Sequence, residues 1–555
     1  MLGAWALGAP AVSMARVVPT SPRDVGARIT VAGARVAPLA RGSDRPEARP
    51  ASGGLGHWWG GQALRRVKRK GSSGGSSWTR TFAAAAGIQT SSSPDDDAEG
   101  GLPSSDASDE DANAQTIMVF LVELGLMAMG IVDTAMVGHV GEKALAAASL
   151  GGIATWLVII TTMGLIGGLD PLTSQAHGAG NDAAVARYLH SGIRAAFLLA
   201  ALGSLAMLGA EPLFTLCGQP AAHAVAAAHY CRVEAFGILP VLIFQAFRLS
   251  LVGTNRFGPL VAAVGCANVL NVFLNQALIN GVAWLNIPAS GLTGAAWATV
   301  ASRWALFLLV SFFARVPLAE RRAAQGLLNV FLQPHRGWYR AMRLLRQGLA
   351  IGAQMFLEFG AFAAMSLIAG RCGATAAAGH AIIQCLTDVS YVIPLGIGAL
   401  GSVKVGQSVG AGNLAEARDA ARAAMVRGAL GVAFNAAVFV FLGHHICWWF
   451  TRDAAVHATA VAILPVVATY QAADGIRVVG AGCLRGVGRL RAALISDLVG
   501  FWVIGIPLAY HLALQRGMEA MGIWSGLCVG MIAVMAPVCV KAWGVGSVEE
   551  KPLEA

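Results

Sequence analysis

Twelve apolar stretches, each about long enough to cross a bilayer, limit what this chain can become more than any other feature. They run over residues 116–137, 145–169, 187–210, 227–251, 258–281 and 291–314, then over 345–369, 377–402, 418–443, 457–482, 491–514 and 520–543. A spanning helix needs roughly 20 apolar residues. Composition removes the alternative of a globule. Only 13% of residues are charged and 56% are hydrophobic, whereas a soluble domain carries about 25% charged residues. The apolar excess has to face lipid. The 68 glycines fit helices that approach one another closely, as small residues allow in membranes. The expected fold class is therefore an all-α membrane protein of twelve transmembrane helices.

Arginine and lysine orient the helices. The connection between the sixth and seventh segments holds Arg315, Arg321, Arg322, Arg336, Arg340, Arg343 and Arg346 against Glu320. Other even-numbered connections hold Arg187, Arg256, Lys404, Arg418, Arg485, Arg489 and Arg491, while the odd-numbered ones hold only Lys143, Arg371, Arg452 and Arg516. Basic residues accumulate on the inner side. Both termini and the middle connection should face the cytosol, or the stroma in an envelope protein. The formal charge of +10 follows this topology and the leader, and does not call for an acidic partner or a nucleic acid.

The first 90 residues are of another kind. They carry thirteen basic residues between Arg16 and Arg80, against Asp24, Asp44 and Glu47. An Arg-rich, Ser-containing, acid-poor leader reads as an organelle transit peptide, of a chloroplast rather than a mitochondrion. A disordered cytosolic tail is the alternative. An acidic, Ser-rich linker follows over 91–114. The domain reading is then a leader over 1–90, that linker, an N-lobe over 115–314, a basic connection over 315–344, a C-lobe over 345–543 and a tail over 544–555.

The two lobes are related by duplication. SQAHGAGN at 174–181 returns as GQSVGAGN at 406–413, an offset of 232 residues. Gly138 and Gly141 map to Gly370 and Gly373 at the same offset, and VGTNR (252–256) corresponds to RGVGR (485–489) at nearly the same one. A shift by six helices keeps membrane orientation, so the halves are parallel repeats. That arrangement places a substrate site near mid-membrane at the lobe interface. The GAGN segments read as turns, since glycine and asparagine suit one. No GKS or GKT follows them, so a nucleotide-driven pump is unsupported. Nine cysteines without CxxC spacing read as small core residues.

Acids inside spans are functional candidates, because a charge at the bilayer centre costs about 2.5–3.5 kcal/mol on insertion scales. Glu358 lies mid-span with apolar residues on both sides, and Gln354 stands one turn before it. Asp474 is deep in the tenth span; Arg477 at i+3 makes a local ion pair its competing explanation. Asp133 lies late in the first span. Asp388 is either functional or a polar contact to a neighbouring helix. Glu123, in the first turns, reads as snorkelling. Asn268, Asn271 and Asn275 share one face of the fifth helix, where interhelical hydrogen bonding is the plainer reading. His380 reads as a packed polar residue. Burial favours the neutral form of a carboxyl group. A buried acid can thus take a proton from one side and release it to the other, or give it up to a cationic substrate.

Several of these segments together resemble the multidrug and toxic compound extrusion (MATE) family. They are VDTAMVGHVG at the end of the first helix, DPLTSQAHGAGN after the second, PLGIGALGSVKVGQSVGAGN in the eighth and QAADGIRVVGAGCLRGVGR in the tenth. The resemblance covers about 115–543 and is closest to bacterial-type cation-coupled exporters. It implies that Asp133, Glu358 and Asp474 bind the coupling cation, and Asn271 and Asn275 fit the family's Asn-containing fifth helix; with Gln354, placed to bond Glu358, and Asp388, which has no family counterpart, they are the candidate substrate or ion contacts of the cavity. It departs at His380, which is followed by Ala381, and at Cys385, where the family commonly has Asn. The function so implied is antiport of small organic compounds against H+ or Na+, without a cofactor, by a monomer in a lipid bilayer and most simply in the chloroplast envelope, with the plasma or vacuolar membrane as alternatives. A flippase for lipid-linked substrates is the other reading; it would need a basic cavity, whereas the spans hold acids. No metal cluster or nucleophile motif points to an enzyme.

Overall fold

The structure, a computed structural model, describes residues 105–138, 140, 142–216, 221–282, 288–314 and 334–545. The expected leader, the start of the linker, most of the middle connection and the tail lie outside them. Among the described residues, twelve helices are long and apolar enough to span a membrane. They are α1 (Ala114–Gly138), α2 (Ala147–Gly178), α3 (Asp182–Leu208), α4 (His223–Gly253), α5 (Gly258–Asn280), α6 (Gly291–Phe313), α7 (Gly337–Cys372), α8 (Ala374–Gly410), α9 (Leu414–Phe441), α10 (Ala454–Gly486), α11 (Arg491–Gln515) and α12 (Glu519–Trp543).

Several helices run past the ends of their apolar stretches. The first begins at Ser105, inside the acidic segment expected to be linker, and the seventh at Pro334, inside the middle connection. A proline fits a first helical turn, where its missing N–H is no loss. α2 and α8 carry on through the polar residues that end their hydropathy, because those residues bond to the other lobe and not to water.

The helices form two six-helix lobes. In the first, α5 packs on α6 and α1, and α3 on α4. In the second, α10 is central, packing on α8, α9 and α12. Each lobe has its own apolar core, around Ile159, Leu199 and Leu242 in one and around Ile463, Tyr470 and Trp524 in the other. Two short helices, Ala210–Leu216 after α3 and Gly443–Phe450 after α9, occupy equivalent places in the repeat. α11 departs from its counterpart in being wound as π-helix over Leu498–Gly505 and His511–Gln515.

The repeated segments meet each other. Gln175 Nε2 donates to the Gly486 carbonyl at 2.9 Å, and Gln407 Nε2 donates to the Gly253 carbonyl at 2.9 Å. Those are the same bond twice, related by the duplication. Gly178 and Gly410 complete the pair. A Cβ on either would stand 1.9 Å from the carbonyl oxygen of the opposite glutamine, Gln407 or Gln175. The rest of GAGN is local. Gly180 and Gly412 have φ of +66° and +77°, which glycine adopts without strain. Asn181 and Asn413 then cap α3 and α9, accepting from the backbone N–H of Ala184 and Glu416, as N-cap side chains do. The structural reading of GAGN thus has a residue-by-residue account.

Candidate functional site

A cavity of about 250 Å³ lies between the lobes, with Glu123, Asp170 and Arg248 contributed by one and Glu358, Asp388 and Arg485 by the other. A second cavity, of about 190 Å³, opens within the first lobe around Asp133. Leu126, Met127, Trp156 and Met163 line both, so the two adjoin.

Asp133 is held entirely by neutral donors. Its Oδ1 accepts from Asn271 Nδ2 at 2.9 Å and from Asn275 Nδ2 at 2.5 Å, and its Oδ2 accepts from Thr299 Oγ1 at 2.8 Å. Asn271 and Asn275 are fully buried. Both do bond between helices, as the plainer reading had it, but their partner is the candidate acid. Asn268 stands apart, donating to the Gly125 carbonyl. Thr299 was not foreseen, and a threonine in an apolar helix gives no signal. Nor were Glu234 and Arg303, which pair at 2.5 Å in the same cavity. Glu234 was detectable as an acid within a span.

The second-lobe acids surround one arginine. Arg477 on α10 has no exposed side-chain surface. Its Nε and Nη2 donate to Asp474 Oδ1 at 2.9 and 2.6 Å, its Nη1 donates to Asp497 Oδ1, and its Nη2 lies 3.8 Å from Glu358 Oε1. The helix-local ion pair weighed for Asp474 is therefore present. Asp497, on α11 just before the π-helical stretch, was missed, although it too is an acid inside an apolar run. Gln354 reaches the Asp497 carboxylate instead of Glu358, whose Oε1 accepts from Tyr391 OH at 3.0 Å.

Asp388 faces the central cavity and accepts from Gln384 Nε2 at 2.8 Å, one turn back on its own helix. Its partner is thus not on a neighbouring helix. Glu123 does not snorkel: it pairs with Arg248 of α4, which also donates to Gln245. Asp170, at the lobe interface, accepts from Ser402 Oγ at 2.9 Å, with Arg485 Nε at 3.8 Å. His380 is packed, 3.1 Å from Ser366 Oγ and against the Trp524 ring.

Of the cavity's six charged side chains, Glu123 with Arg248 and Asp170 with Arg485 are paired. Glu358 accepts its hydrogen bond from Tyr391 and shares the Arg477 of the neighbouring cluster at 3.8 Å, while Asp388 accepts only from Gln384. The balance is acidic, which disfavours the flippase reading. The cavity is sealed at one end. There the inner half of α7 lies against α2 so closely that a Cβ on Gly348 would stand 1.8 Å from the Leu165 carbonyl oxygen. The two glutamine bonds, from α2 to α10 and from α8 to α4, lie at the same end.

Comparison with known proteins agrees with this architecture. The family model MatE matches residues 119–276 and 350–511. The probable multidrug resistance protein NorM of Bradyrhizobium diazoefficiens is 31% identical over 443 residues, covering 78% of this chain and 93% of that protein. Its namesake from Deinococcus radiodurans is 32% identical over 426 residues, covering 74% and 90%. Among solved structures, the eukaryotic MATE transporter AtDTX14 superposes with a TM-score of 0.69 at 21% identity, covering 79% of this chain and 98% of its own. A multidrug resistance MATE family transporter in an outward-facing conformation gives 0.66 at 18% identity, covering 77% and 93%.

Proposed function

Since the chain belongs to the MATE family of multi-pass membrane transporters, which are not enzymes, we propose that it exports cationic organic compounds in exchange for protons or sodium. One observation carries the reading: the cavity between the lobes is closed at one end and has Glu358 and Asp388 in its wall with neutral hydrogen-bond donors. A cationic substrate can lie against Asp388 without displacing a salt bridge, and against Glu358 by replacing only its 3.8 Å contact with Arg477, which keeps Asp474 and Asp497. The distribution of basic residues puts the sealed end on the cytosolic or stromal side, so the cavity opens outward. Rocking of the two lobes about the α2–α8 contact would expose it inward.

Asp133 is the coupling residue in this reading. It accepts three hydrogen bonds, and among the described residues no arginine is bonded to it. The Oδ1 atoms of Asn271 and Asn275 lie buried beside it without partners among the described residues. A proton on the carboxyl group, or a sodium ion shared with those oxygens, would satisfy the site; hard cations favour such oxygen sets. Glu358 links the coupling chemistry to the substrate, and Asp474 acts through Arg477. The basic leader supports delivery to the chloroplast envelope, for which a fluorescent fusion of residues 1–110 is the test: cytosolic signal removes it.

The function is tested in proteoliposomes with an imposed proton or sodium gradient and a fluorescent organic cation. Wild type should transport under at least one gradient. Gradient-driven transport that survives both Asp133→Asn and Glu358→Gln would rule out the coupling assignment.

A further inference from the structure

A third cavity, of about 590 Å³, shares no lining residue with the two already described. It lies at a membrane face, where α7 and α11 begin, and is lined by Arg343, Arg346, Gln347, Arg489 and Arg491, with no acid among its described lining residues. Four guanidinium groups from two separate parts of the chain thus converge on one crevice. Arg343 and Arg346 stand on the first turns of α7, and Arg489 and Arg491 on the turn from α10 into α11. Gly488, with φ of +83°, folds that turn back so that both of its arginines flank the crevice. The α11 N-terminus contributes in the same sense. Leu490 caps it without a side-chain bond, and the first N–H groups of a helix carry partial positive charge.

The apolar surroundings identify the occupant. Ile495 and Leu498 lie one and two turns into the membrane from Arg491 and on its helix face, and Leu349 lies one turn beyond Arg346; they are 57%, 45% and 60% exposed. At 1.5 Å per residue they sit about 5–10 Å deeper than the arginines. A ligand suited to this place carries negative charge at headgroup depth and hydrocarbon below it. Guanidinium groups bind phosphate in bidentate fashion, and basic pockets between spanning helices hold anionic headgroups.

We propose that this crevice binds the phosphate headgroup of an anionic phospholipid. The site bears on transport by position. The inner half of α7 packs on α2 and α3 of the other lobe: a Cβ on Gly352 would meet the Leu165 side chain at 2.8 Å, and one on Gly337 would meet Arg194 at 2.5 Å. A headgroup bridging α7 to the α10–α11 turn therefore braces, within its own lobe, the half of α7 that packs on the other lobe at the sealed end. The proposal needs only that the crevice lies at a membrane face and does not depend on which ion is coupled.

The test uses the full chain, purified and delipidated in a neutral detergent, with thermal unfolding as readout. Phosphatidylglycerol, phosphatidylcholine and inorganic phosphate are titrated separately. Phosphatidylglycerol should raise the midpoint by about 2–4 °C, with no rise from the other two. Arg346→Gln with Arg491→Gln should remove that rise and leave the midpoint in phosphatidylcholine unchanged, while Arg452→Gln, before α10 at the opposite end, should keep it. Equal rises with both lipids, or a rise that persists in the double variant, would overturn the site. A rise with inorganic phosphate alone would overturn the lipid as occupant. If the double variant fails to fold, charge-reversed Arg346→Glu and Arg491→Glu are read singly by co-purified phosphatidylglycerol; wild-type retention in both overturns the proposal.

Discussion

The two lobes share a scaffold and hold their acids in opposite ways. In the first, one carboxylate, Asp133, is gripped by two amides and a hydroxyl, with the nearest arginine committed to Glu234. In the second, Asp474, Asp497 and Glu358 gather round Arg477, which brings its own positive charge. Neutral donors hold a carboxylate without cancelling its charge, so Asp133 still calls for a mobile cation. The Arg477 cluster has a resident one. In the proposed mechanism this difference gives the main coupling role to the first lobe. It leaves Glu358, the one acid of the cluster in the cavity wall, to sense what the cavity contains.

The largest effect should come from removing the resident charge. Arg477→Met strands two carboxylates that have no exposure to speak of. Leaving a buried charge without its partner costs about 3–5 kcal/mol. Most of the protein should fail to reach the membrane as a monodisperse species, measured by fluorescence-detected size exclusion of a tagged chain. Adding Asp497→Asn to Arg477→Met should recover part of the loss. No recovery would mean that Arg477 acts by packing and not by charge.

Asp133→Asn should sharpen the contrast, with a large functional effect and a small structural one. The retained carbonyl oxygen can still accept from both asparagines, and the new amide can donate to Thr299, whose hydroxyl also bonds the Ala295 carbonyl. Stability should change by no more than about 0.5–1.5 kcal/mol, the worth of one hydrogen bond, while gradient-driven transport disappears. Glu358→Gln keeps the Tyr391 bond and should weaken substrate dependence more than ion dependence, seen as a raised half-saturation concentration in the same vesicles. Equal effects of the two variants on both quantities would erase the distinction between the lobes.

The twelve helices and the duplication were legible because both are written in long, regular patterns. The span ends were not. Hydropathy stops α2 near residue 169 and α8 near 402, yet both helices continue to Gly178 and Gly410, since Asp170, Gln175 and Gln407 bond across the interface. A polar residue that faces another lobe looks the same in sequence as one that faces water. Asp133, Asn271 and Asn275 could each be singled out, but not their convergence, because bonds between α1 and α5 leave no spacing to read. Asp497 and Glu234 are equally visible as acids within spans, but not the arginines, Arg477 and Arg303, that they meet across helices.

The smallest effect concerns the element the lobes share. Gln175 and Gln407 make the same bond from opposite sides, each with an amide donor to a carbonyl at 2.9 Å. Gln175→Leu and Gln407→Leu should each cost the closed end about 0.5–1.5 kcal/mol. A symmetric latch predicts equal costs. A cysteine placed at Ser174, buried in this seam, reports opening by its rate of modification with a membrane-permeant maleimide. Both single variants should raise that rate by the same factor, and the double variant by about the product of the two if the bonds open independently. Gln407 also accepts from Asn255 Nδ2 at 3.2 Å, and the position equivalent to Asn255 in the other repeat is Gly488, which has no side chain to donate. A larger effect at Gln407 would therefore show that the asymmetry separating the two lobes' acids already begins at the seam.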